Sequence, residues 1–158
     1  MATLLAKDLM TTTVGTVGPR LTVPELERAL AEMRVSGAPV VDERGELVGV
    51  VSRYDIVRAE SGAGAEAEAL LGYYQEVGGA SPPAAEAARL AGERMATLRV
   101  EDIMVRNLIT VRPDQPVREV AAILARQRVH RALVVDGRRL LGIVSALDIV
   151  RAVAEGVL

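Results

Sequence analysis

The sequence predicts a mixed α+β (α/β) fold, in which two β-α-β-β-α repeats pack about a pseudo-twofold axis with a helical insertion between them. Three observations lead there. First, the 158-residue chain repeats itself. Asp8-Leu9-Met10 returns as Asp102-Ile103-Met104, and Thr16-Val17 followed by Pro19 returns as Thr110-Val111 followed by Pro113, both 94 positions later. Arg34-Val35 returns as Arg128-Val129, and Val40-Val41-Asp42 as Val134-Val135-Asp136. Second, one residue then drops out, and Gly49-Val50-Val51-Ser52 with Asp55-Ile56-Val57-Arg58-Ala59 returns as Gly142-Ile143-Val144-Ser145 with Asp148-Ile149-Val150-Arg151-Ala152. Two copies of one supersecondary unit usually stack and bury what neither can bury alone. Third, each copy switches between β-branched runs and helical spacing of its apolar residues in the same order. The organisation predicted is a first repeat over residues 1–59, a helical insertion or linker over 60–96, and a second repeat over 97–158.

Taken in order, Thr13 to Val17 is β-branched and followed by Pro19, which predicts a strand. Thr22 is a good N-cap and Glu25, three residues on, completes a capping box. Val23, Leu26, Leu30 and Met33 then recur at helical spacing until Ser36-Gly37, which predicts the stop. Ala38 to Val41 and Leu47 to Val51 flank the turn Asp42-Glu43-Arg44-Gly45 and predict a hairpin. Ser52 can cap a last helix from Arg53 to about Ala59. The second copy predicts strand Leu108–Val111, helix Val117–Gln127, strand Leu133–Val135, a turn at Gly137, strand Leu140–Val144 and helix Ala146–Val153. Between the copies, Ala65 to Gln75 and Ala84 to Met95 are Ala-rich enough for helices, and Val77 to Pro83 breaks them apart. Thr97-Leu98 echoes Thr3-Leu4 at the same offset.

Half the residues are apolar, with no Phe or Trp and only three Tyr, so the core must be aliphatic. A net charge of −2 sets up no field for nucleic acid or an anionic membrane. With no Cys there is no disulfide, thiolate metal site or Cys nucleophile. The start lacks the pattern of a secretory leader and no run is long enough to span a membrane, so a cytoplasmic protein is expected. The apolar stripes Val23, Leu26, Leu30, Met33 and Val117, Val120, Ile123, Leu124 predict helix faces left over for a homodimer.

The most pointed chemistry lies in Ser52-x-x-Asp55 and its echo Ser145-x-x-Asp148, each at a strand-to-helix junction. A helix N-terminus offers free N–H groups to a phosphate, Ser can donate its hydroxyl, and a carboxylate can accept two hydrogen bonds from a cis-diol such as ribose. Ser at N-cap with an acid at N3 also makes a capping box that needs no ligand. There is no Walker loop and no metal-ligand spacing. A lone histidine, His130, with no evident partner makes a poor hydrolase.

The repeated Asp-x-Met, Thr-Val-x-Pro, Arg34 to Asp42, and Gly-x-Val-Ser-x-x-Asp-Ile-Val segments resemble a cystathionine-β-synthase (CBS) domain, and two in tandem resemble a Bateman module. The resemblance covers nearly the whole chain outside 60–96. It implies adenosine-nucleotide binding in two clefts between the repeats, with Asp on the ribose hydroxyls, Ser on phosphate, and adenine against small and aliphatic residues. Carried across, it groups Ser145 and Asp148 with Gly15 and Val35, and Ser52 and Asp55 with Ile109 and Val129. Val129-His130-Arg131 resembles a segment of the AMP-activated protein kinase γ subunit whose His and Arg face phosphates. The first repeat has Ser36-Gly37 in that place, so the two sites are expected to differ. The function expected is a regulatory module with no catalysis and no required cofactor, whose ligand is an adenine nucleotide such as AMP or ATP. A second expectation is an interaction scaffold acting through homodimerisation.

Overall fold

The structure, a computed structural model, describes residues 3–62 and 84–158. The helix expected over 65–75 and the break at 77–83 lie outside the described residues. Among those described, the order is α1 (Ala6–Leu9), α2 (Val23–Glu32), β1 (Gly37–Val41), β2 (Leu47–Ser52), α3 (residues 53–62), α4 (Ala84–Thr97), α5 (Val100–Ile103), β3 (Thr110–Val111), α6 (Val117–Gln127), β4 (Arg131–Asp136), β5 (Arg139–Ser145) and α7 (Ala146–Ala154). The fold is mixed α+β, with one sheet of β1-β2 and another of β3-β4-β5.

The chain forms two compact units, and they cut across the repeats. One gathers residues 16–40 and 48–106; the other gathers the N-terminal residues up to Gly15, the segment Val41–Leu47, and Asn107–Leu158. The N-terminal segment of each repeat therefore completes the unit built on the other repeat. Ala6 is fully buried in the core with Val117, Val120, Val134 and Val144, while its counterpart Val100 is fully buried with Leu26, Leu30, Val40 and Val51. Burying a valine such as Val100 contributes about 1.5–3 kcal/mol, and the smaller Ala6 less.

The repeated Asp-x-Met motif follows from this exchange. Asp8 accepts the Leu5 N–H at 2.9 Å and Asp102 the Arg99 N–H at 2.8 Å, so each closes the first turn of a four-residue helix. The Met that follows lies on a glycine of the opposing strand. A Cβ at Gly142 would stand 2.7 Å from the Thr11 carbonyl oxygen and 2.9 Å from Met10 Sδ; at Gly49 it would stand 2.6 Å from Met104 Sδ. Bridges Thr11↔Ile143 and Val50↔Val105 fix these approaches.

Three expectations need correction. The strand over Thr13–Val17 reduces to one bridge, Val17↔Val40. Val17 N–H donates to the Pro39 carbonyl at 3.0 Å, but Pro39 has no N–H to return. Its counterpart Leu133 does have one, which reaches the Ile109 carbonyl at 3.1 Å, and there β3 pairs in parallel with β4. Ser36-Gly37 does not end α2. Arg34 (φ 55°) and Arg128 (φ 54°) sit in the left-handed region and end both helices. Val35 N–H bonds the Leu30 carbonyl and Arg34 N–H the Ala31 carbonyl; Val129 and Arg128 do the same with Leu124 and Ala125, which is a Schellman closure twice over. Finally, the apolar stripes read as leftover faces are core. Val23, Leu26, Leu30, Val117, Val120 and Leu124 are buried, and Met33 and Ile123 pack against them.

The hairpins explain the missing residue. Asp42 Oδ1 accepts the N–H groups of Arg44 and Glu46, both at 2.9 Å, across a three-residue loop. In the second copy Asp136 pairs directly with Arg139 around Gly137 (φ 59°), a two-residue loop.

Candidate functional site

The Ser-x-x-Asp motifs sit where β2 runs into α3 and where β5 runs into α7. In both, the carboxylate folds back on its serine. Asp148 Oδ2 accepts the Ser145 N–H at 2.8 Å and the Ser145 hydroxyl at 2.6 Å, and Ser145 Oγ lies 3.2 Å from the Asp148 N–H that it accepts. Asp55 Oδ2 accepts the Ser52 N–H at 2.8 Å and its hydroxyl at 2.9 Å. The second motif is thus a reciprocal cap on α7, while in the first Asp55 holds both donors of Ser52. The first N–H of each helix is also engaged, Ala146 by the His130 carbonyl and Arg53 by the Ser36 carbonyl, both at 2.9 Å. At α7 the first and third N–H groups are thus both taken, so the chemistry left there for a ligand is chiefly that of the second carboxylate oxygen.

There the two repeats part. Asp55 is buried, its side chain 7% exposed, and Arg58 Nη2 donates to its Oδ1 at 3.1 Å. Asp148 is 23% exposed, and Arg151 Nη1 stands 4.0 Å from its Oδ1, beyond hydrogen-bond range. Asp148 therefore presents a more open acceptor than Asp55, whose second oxygen already takes the Arg58 bond.

Ser145, Asp148, Gly15, Ile109, Val129, His130 and Arg131 belong to one unit; Ser52, Asp55, Val35 and Ser36 belong to the other. Arg131 is opposite Ser145 in the β4–β5 register. His130 and Arg131 are exposed, as are Gly15 and Ser36, while Val35, Ile109 and Val129 are half-buried. Val35 and Val129 follow the left-handed arginines, so each has a structural task in closing its helix. Val129 and His130 also line an open groove of about 610 Å³ with Leu124, Ala125, Ile149 and Val150; Ser145 and Asp148 do not line it. Sequence reasoning missed the Arg58–Asp55 pair, although its signal, an Arg three residues after an Asp on a helix, was in plain view. Among the described residues no cluster of three or more His, Asp or Glu could hold a metal ion, and no helix is long and apolar enough to cross a membrane.

The CBS domain family model matches residues 6–62 and 100–155. The chain belongs to the CBS domain family. Among its relatives, an L-aspartate semialdehyde sulfurtransferase of Methanocaldococcus jannaschii is 28% identical over 93% of this chain, and the chloroplastic CBS domain-containing protein CBSX1 of Arabidopsis thaliana is 31% identical over 88%. The match covers 23% of the sulfurtransferase and 58% of CBSX1, so the chain spans only part of these relatives. Two solved structures are similar throughout. The CBS domain pair of protein MJ0100, in complex with 5′-methylthioadenosine and S-adenosyl-L-methionine, has 25% identity and a TM-score of 0.64 over 98% of this chain and 99% of that one. CBSX2 in complex with AMP has 26% identity and a TM-score of 0.68, covering 96% of each chain. CBS pairs similar to this one thus bind adenosyl ligands.

Proposed function

We propose that this CBS pair is a regulatory ligand-sensing module that binds an adenine nucleotide, or a related adenosyl ligand, through its Ser-x-x-Asp ends and performs no catalysis. The observation that carries this reading is Asp148. Its Oδ2 is held by Ser145, which fixes the carboxylate, while its Oδ1 is open to the vicinal hydroxyls of a ribose. The adenosyl ligands held by the two similar pairs support the same chemistry. Arg131, exposed beside Ser145, supplies charge for a phosphate. His130 supplies a second donor, although it also edges the groove along α6 and α7. Removing Arg131 is expected to weaken AMP or ATP and leave adenosine nearly unchanged. Binding would regulate by favouring one arrangement of the chain over another.

A thermal-shift screen of the purified protein against adenosine, AMP, ADP, ATP, 5′-methylthioadenosine and S-adenosylmethionine tests the reading. A ligand that binds only the folded chain raises the midpoint in step with its concentration. A midpoint unmoved by all of them at millimolar concentration contradicts the proposal.

A scaffold that works through homodimerisation is the second reading, favoured by a different observation. Leu147 and Val150 on the outer face of α7 are 63% and 61% exposed, and Tyr54 and Val57 repeat them on α3. Exposed apolar faces of this kind mark interaction surfaces. The two readings are compatible in one protein.

A further inference from the structure

We propose that Arg58 is a gate on the first repeat, so that the chain's two Ser-x-x-Asp ends take ligand unequally: the Asp148 end first, and the Asp55 end only when Arg58 leaves its carboxylate. This inference rests on the adenosyl-binding reading and concerns how its two ends differ. Both repeats carry the same Arg at the same place, three residues after the Asp. Only one of them is closed. Arg58 donates to Asp55 Oδ1 at 3.1 Å, while Arg151 stands 4.0 Å from Asp148 Oδ1. With Oδ2 already taken by the Ser52 N–H and hydroxyl, the Arg58 bond engages the remaining oxygen of Asp55. A ribose diol donates two hydroxyls and Oδ1 offers two lone pairs, so while Arg58 holds one of them the diol cannot place both hydroxyls there, and ligand and Arg58 compete for that position. The competition is reversible. The Arg58 side chain is 57% exposed and can turn to water, and an ion pair open to solvent on one side is weak. The gate therefore lowers the affinity of the first end without abolishing it. Ligand concentration then sets how many ends are filled, which gives one chain two thresholds for the same ligand.

Calorimetry with adenosine in an Asp148→Ala background isolates the first end. Adenosine is the probe because it has no phosphate for an arginine to hold. Adding Arg58→Met, which keeps the side-chain stem and removes the charge, is expected to tighten adenosine about threefold to tenfold, the span between an exposed ion pair and a charge-assisted hydrogen bond. Arg151→Met in the Asp55→Ala background should leave affinity within a factor of two, because Asp148 is already open. An unchanged or weaker affinity on adding Arg58→Met, or no binding with or without it at millimolar adenosine, overturns the gate. AMP separates the remaining case: if Arg58→Met weakens AMP and leaves adenosine unchanged, Arg58 is a phosphate ligand and the gate is wrong. If the parent chain itself binds neither adenosine nor AMP, the adenosyl-binding reading falls and the gate falls with it. If the parent binds and Arg58→Met changes nothing, the gate alone falls.

Discussion

Glu25 holds the start of α2 by accepting the Thr22 N–H at 2.8 Å and its hydroxyl at 3.0 Å. The backbone N–H, then the hydroxyl, hold its pKa below the ordinary value despite some desolvation. A carboxylate with a lowered folded pKa stabilises the fold above its unfolded pKa and loses that contribution as pH falls through the folded one. Glu25→Gln is therefore expected to lower the melting temperature near neutral pH. The gap to the parent should close below about pH 4, and parallel melts across pH would read it. Arg128 makes the opposite point. It closes α6 at φ 54°, where a side chain is strained and glycine is not. Arg128→Gly should raise stability by up to about 1 kcal/mol in urea unfolding; a loss would mean that the arginine side chain contributes more than its backbone costs.

At the scale of elements, the glycines of β2 and β5 decide whether the N-terminal segments can dock. At Gly142 the nearest atom to an added Cβ is a backbone carbonyl, which cannot turn aside, whereas at Gly49 it is the flexible Met104 thioether. Gly142→Ala should cost about 1–3 kcal/mol and Gly49→Ala less, and denaturant melts of the two variants would rank them. Features that depend on neighbours in sequence were legible. The Thr22–Glu25 and Ser145–Asp148 boxes, both hairpins and the span of α6 stand as their local chemistry says. What was not legible depends on partners far along the chain. The segment Thr13–Val17 has strand composition, yet its ladder fails on a proline lying across from it. The stripes on α2 and α6 look like surfaces because nothing local says what covers them, and they are core. At the Ser-x-x-Asp motifs the sequence shows the strand-to-helix junctions but not how each carboxylate is engaged. Ser145 caps α7 as expected, but how far each Asp keeps an oxygen open turns on a rotatable arginine.

At the scale of the whole molecule, the exchange of N-terminal segments means that neither repeat is complete by itself. Ala6→Asp puts a charge into the core with Val117 and Val134 and should cost several kcal/mol, while the exposed neighbour change Lys7→Asp should stay within about 0.5 kcal/mol. The exposed α7 face makes a separate prediction. If the chain is a homodimer through that face, Leu147→Asp with Val150→Asp should yield a folded monomer by light scattering at tens of micromolar; a parent that is already monomeric there contradicts the dimer. The central claim, that Asp148 is the acceptor for an adenosyl ribose, is tested most directly by calorimetry of AMP binding to three proteins: the parent, Asp148→Ala, and Asp114→Ala, whose carboxylate pairs with Arg112 on the surface. Losing a charge-assisted acceptor should cost about 1.5–3 kcal/mol, which is roughly tenfold to hundredfold in affinity. The account predicts that loss for Asp148→Ala and none for Asp114→Ala. Equal binding by all three proteins, or no binding by the parent at millimolar AMP, would contradict it.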